Sequence, residues 1–122
     1  MNDLTEIFGA PISIYTRAQA IEDGVLVQLP TDEALTPFKY PVAITVALWA
    51  EIERGAGKTD VMVRNGRIWD VGFMATLAAR GVESNEVFYR CKIGRKTFAL
   101  WCHYGPDDEG APCITIGFPE DR

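Results

Sequence analysis

Short strand-like runs bounded by turn residues dominate the last third of this chain. The pattern begins at NEVFYRCKI, turns at Gly94-Arg95 and continues through KTFALWCHY. It breaks at GPDDEGAP and resumes in CITIGF. Runs of this kind, bounded by turn residues, predict a three-stranded antiparallel meander. A two-residue turn at Gly94-Arg95 sets Cys91 opposite Phe98, Tyr89 opposite Leu100 and Val87 opposite Cys102. All six then lie on one side of the sheet. Pairing Tyr104 with Pro112 adds Ile114, Ile116 and Phe118 to that side. The other side gathers Phe88, Arg90, Lys92, Thr97, Ala99, Trp101, His103, Cys113, Thr115 and Gly117. This register separates an apolar face from a more polar one, as a half-buried sheet requires.

Upstream, the apolar residues come in blocks. PVAITVALWAEIER (41–54) is apolar on most sides and starts with Pro, a residue favoured at the first helical position, so it reads as a buried central helix. In RIWDVGFMATLAAR (67–80), Ile68, Val71, Ala75 and Ala78 repeat at helical spacing, with Trp69, Phe73 and Leu77 beside them. Asn65-Gly66 offers a competing hairpin between VMVR and RIWDV; the helix is preferred, with a short strand before the turn. Thr16 and Gln19 fit a capping box, and Gly24 is placed to stop a short helix before the strand VLVQL. Glu22 and Asp23 then fall at the negative end of that helix, where solvation is the simplest account of them. Residues 30–40 read as a loop. Together these elements predict a single α+β domain spanning 1–122. In it, a three-stranded antiparallel C-terminal meander packs against two main helices, beside a short N-terminal helix-strand unit.

Composition narrows the class. At 122 residues, with 48% hydrophobic and 24% charged residues, the chain matches an ordinary globular domain. No apolar run reaches the ~20 residues that span a bilayer, so no membrane role is expected. The acidic start, MNDLTEIFGAPISIY, does not resemble a secretory signal. An odd number of cysteines, 3, without a CxxC pair, fits a reducing cytoplasm. A formal charge of −5 disfavours a protein that grips phosphate backbones.

Few residues suggest chemistry. GAGKT (55–59) lacks the earlier glycine of a phosphate-binding loop, since that position is Ile52, and a helix precedes it. His103, the only histidine, faces Cys113 in the register above, and such a pair can generate a thiolate nucleophile. No orienting third group or oxyanion hole accompanies it, so no catalytic residue is assigned. Two ligands are too few for zinc, and Asp107, Asp108 and Glu109 lack the spacing of a calcium loop, so neither metal nor cofactor is expected. Asp70, beside Trp69, reads first as an exposed helix position. Phe88 and Trp101 would be cross-strand neighbours flanked by Arg90 and His103. Phe88, Arg90, Trp101 and His103 therefore form the candidate binding set, with a protein partner favoured over nucleic acid.

IFG (7–9), YTRAQAIEDGVLV (15–27), KYPVAIT (39–45) with Trp49, RIWDV (67–71) and YGPDDEGAPCITIGFPED (104–121) occur in one order. That order resembles a family of small bacterial proteins encoded on plasmids, phages and integrated elements, whose domain has no assigned function. Gly72 and Cys113 stand where the pattern leads one to expect larger aliphatics. The resemblance implies an accessory protein of a mobile element that binds a host or element-encoded protein, including an inhibitor of host defence of the anti-CRISPR or anti-restriction type. Two alternatives stay open: a small enzyme using His103 with Cys113 or Asp70, and a nucleic-acid-associated accessory protein.

Overall fold

The short N-terminal helix forms where its caps demand it. Helix α1 (Arg17–Glu22) starts at Thr16, whose hydroxyl accepts from Gln19 N at 3.1 Å while Gln19 Oε1 accepts from Thr16 N at 2.9 Å. Gly24, at φ +80°, reverses the chain into strand β1 (Leu26–Gln28). The computed structural model describes residues 15–32, 34–56 and 60–122. The acidic N-terminus with its IFG segment, and residues 57–59 of GAGKT, lie outside them.

The expected 41–54 helix is two elements. Val42–Thr45 forms strand β2, and only Val46–Glu53 is helical, as α2. All four residues of β2 are buried, because the strand runs inside the sheet between two neighbours. A strand covered on both faces loses the alternation that marks a half-buried one. Thr45 makes the change of structure, ending the strand and accepting from Leu48 N at 3.4 Å as the cap of α2.

Helix α3 (Val61–Ala79) begins six residues earlier than the 67–80 expected. Asp60 caps it, accepting from Val63 N at 3.2 Å. Asn65-Gly66 sits within the helix, without the positive φ a hairpin turn would require at either residue. The VMVR segment expected as a short strand before the turn is the first part of this helix.

Strands β3 (Glu86–Ile93), β4 (Lys96–Pro106) and β5 (Pro112–Gly117) are antiparallel neighbours, but they make up only part of a larger sheet. The sheet has five strands in the order β1-β2-β5-β4-β3, and it is mixed, since β2 runs parallel to β5. The β3–β4 register is the one the alternation predicts, with Cys91 facing Phe98, Tyr89 facing Leu100 and Val87 facing Cys102. On β5 the register differs: Tyr104 faces Ile114, and Pro112 faces Pro106. The strands run two residues further toward their hairpin than the sequence suggests. A shift of two keeps every side chain on its expected face.

One face of the sheet carries the core. Val42, Ile44, Tyr89, Leu100, Ile114 and Ile116 pack there against Leu48 and Ile52 of α2 and Ile68, Val71 and Ala75 of α3. Tyr89 donates its buried hydroxyl to Val71 O at 2.9 Å, tying α3 to the sheet through a carbonyl of the helix. Arg67 of α3 donates to Ile52 O and Arg54 O at 2.9 and 2.6 Å, satisfying carbonyls that the end of α2 leaves free. At Gly72 a Cβ would lie 3.1 Å from Pro37 Cδ, so the glycine lets the 36–38 loop close over α3.

The opposite face is held by polar clasps. Arg17 of α1 reaches over β5, donating to Thr115 Oγ1 and, at 2.8 Å, to Ile114 O. Asp108, in the β4–β5 hairpin, accepts from Arg17 N and Ala18 N at 2.9 and 2.8 Å. At the other end, a short 3-10 turn (Pro119–Asp121) brings Asp121 to accept from Thr45 Oγ1 at 2.8 Å. Gly117 leaves room for that clasp, since a Cβ there would meet Thr45 Cγ2 at 2.5 Å.

Candidate functional site

The four candidate residues lie on this second face, but not as one open patch. Phe88 faces Trp101 across the β3–β4 ladder as expected. Phe88 is 54% exposed, whereas Trp101 is 8% exposed and therefore part of the packing, not a free anchor. His103 stacks on Trp101 with ring centroids 5.9 Å apart, and its Nε2 lies 3.3 Å from Asn85 Nδ2. The Arg122 guanidinium sits 5.6 Å above the Phe88 ring and pairs with Glu86 at 2.8 Å. Of the set, Phe88 and Arg90 are exposed, His103 is half-buried and Trp101 is enclosed.

The proposed His103–Cys113 pair does not form across the ladder. The two-residue difference in register sets His103 opposite Thr115 and Cys113 opposite Gly105. Burial pushes the Cys113 thiol above its ordinary pKa. Burial likewise raises Cys91 to about 11 and Cys102 to about 12, so these thiols stay protonated and behave as small apolar side chains. Among the described residues, no three His, Cys, Asp or Glu side chains converge where a metal ion could be held. No described helix is long and apolar enough to cross a membrane.

The acids of the 107–109 loop do more than face solvent. Asp107 Oδ1 accepts from Glu109 N and Ala111 N at 2.8 and 2.9 Å, and these bonds hold its carboxyl below the usual carboxylate range. Asp108 caps α1 as described above. Asp23 accepts from Tyr15 OH at 2.8 Å, so one of the two acids ending α1 has a partner within the chain. Asp70 is exposed on α3.

A different surface stands out. Helix α3 buries Ile68, Val71 and Ala75, yet its outward side is also apolar. Met62, Trp69, Phe73 and Leu77 are spaced by seven, four and four residues, which aligns them along one stripe of a helix. Met62 is 85% exposed; Phe73, Leu77 and the adjacent Met74 are exposed too. Trp69 stacks on Phe73 with centroids 6.4 Å apart and planes 13° from parallel. Gly66 falls within the stripe and adds no side chain, with nothing within 4 Å of where its Cβ would be. The signal for this surface lies in the sequence: two apolar series on one helix are more than one core can bury. Reading Trp69, Phe73 and Leu77 as companions of the core series hides it.

Compared with known proteins, the chain matches no family model, no curated protein and no solved structure.

Proposed function

We propose that this protein acts by binding another protein through the outward face of α3. The observation that carries the reading is the stripe of Met62, Trp69, Phe73 and Leu77. Isolated exposed apolar residues are ordinary on a folded surface, but several large ones aligned along one helix mark an interaction site. An apolar helix face also suits the groove-binding mode, in which anchors at helical spacing enter a complementary surface. Trp, Phe and Met are residue types enriched in such contacts. Phe88 and Arg90 lie on the other face of the sheet and would form a separate, smaller contact.

The partner we propose is a host or element-encoded protein, with the chain as a mobile-element accessory factor that inhibits a host defence. That context rests on the sequence resemblance alone, whereas the binding surface rests on α3. Co-purification of the tagged protein from a bacterial host tests both parts. Phe73→Asp should remove a stoichiometric partner while leaving the unfolding midpoint within a few degrees of wild type, since the site is exposed. Phe88→Asp should retain that partner. Loss of the partner with Phe88→Asp and its retention with Phe73→Asp would move the site to the β3–β4 face.

A further inference from the structure

Behind α3, on its core side, the packing is incomplete. A cleft of about 270 Å³ opens between the C-terminal part of the helix, the 38–40 loop and the start of β3. Its floor is buried and apolar, formed by Ala75, Cys102 and Ile114. Small side chains at Ala75, Ala79 and Cys102 leave the space unfilled. Phe38, Tyr40 and Tyr104 supply aromatic walls, with the two tyrosine rings 5.6 Å apart and tilted by 54°. Both tyrosines are exposed at the mouth, so a ligand would cover ring faces now in water.

Size, charge and ring geometry each narrow the ligand. Sites for drug-sized molecules occupy roughly 300–1,000 Å³, so this cleft accepts something smaller. A charge buried against so apolar a floor would be strongly unfavourable without a partner. The one carboxylate at the rim, Glu86, is already paired with Arg122 at 2.8 Å. Tilted aromatic walls favour a flat ring, through offset or edge-to-face contact. The tyrosine hydroxyls and the Asn85 amide can serve one polar edge. We propose that the cleft binds a small uncharged aromatic molecule of one or two rings carrying a single polar edge. The proposal is independent of the outward α3 surface, since Ala75 and Ala79 occupy the opposite side of that helix.

Indole is a suitable probe, followed through the methyl NMR signals of Ala75, Ala79, Val87 and Ile114. Saturable shifts confined to those methyls are expected, with a Kd below about 1 mM. Charged analogues, indole-3-acetate and tryptamine, should bind about tenfold more weakly, a difference of about 1.4 kcal/mol. Ala79→Phe, at an exposed position near the end of α3, should fill the cleft and abolish saturation. Tyr104→Phe keeps the ring and should weaken binding by only a few-fold. Linear shifts in the wild-type protein would overturn the proposal. So would unchanged indole binding by Ala79→Phe, or saturable shifts centred on Trp69 and Phe73.

Discussion

The two faces of the sheet are held by different physics. On the α2–α3 side, Leu48, Ile52, Val71, Leu100 and Ile116 are closed off from water, and the stabilisation comes from apolar area. On the α1 side, Arg17, Asp108, Thr45 and Asp121 join elements distant in sequence through a few directed hydrogen bonds. Area burial is non-directional and tolerates small displacements. A clasp has one geometry and makes its contribution only there. The first face therefore supplies most of the stability, and the second fixes where the outer segments lie.

Substitutions can break this contrast on either side. Leu100→Ala, in the middle of the core face, should lower unfolding stability by about 2–5 kcal/mol in a denaturant titration. Asp108→Ala removes two acceptors from the start of α1 and should lower it by about 1 kcal/mol, the usual effect of losing a helix cap. Amide exchange should then accelerate across Arg17–Glu22 while the amides of β3 and β4 stay protected. Equal loss of protection in both regions would show that α1 belongs to the same cooperative unit as the core.

The smallest effect concerns acid. The folded Asp107 carboxyl titrates below its unfolded value because Glu109 N and Ala111 N donate to its charged form. Its contribution is therefore complete above the unfolded pKa of about 3.9 and fades as pH falls through the lower folded value. The Glu109 and Ala111 amide signals should hold steady down to about pH 4 and shift below it. Asp107→Asn should remove that transition while Leu100 and its neighbours remain unaffected.

How far the sequence discloses this molecule depends on how each segment is buried. Along β3, buried Val87, Tyr89, Cys91 and Ile93 alternate with exposed Phe88, Arg90 and Lys92, and the Gly94-Arg95 turn carries that register onto β4. The α1 cap is equally plain, because Thr16 and Gln19 act on each other within one turn. Strand β2 has no wet face, and in VAIT the helix and strand patterns coincide. Its pairing with β5 is a contact between remote segments that local pattern cannot reveal. The enclosure of Trp101 is hidden from the sequence for a related reason. Alternation assigns Trp101 to the less apolar face, but its burial depends on what packs over that face. The α3 stripe and the Tyr40–Tyr104 cleft depend on which neighbours are missing, and that too is a property of the assembled fold.

The position of β2 also dictates an order of events. Strands β3, β4 and β5 are joined by short turns and can associate soon after they meet, whereas β2 must find β5 across most of the chain. Closing so long a loop is entropically unfavourable and slow compared with forming a hairpin. During synthesis, β1 and β2 leave the ribosome first, yet their place in the sheet does not exist until Ile116 has emerged. Until then the apolar run VAIT can pair only with β1, and its other edge stays open to aggregation or to a chaperone.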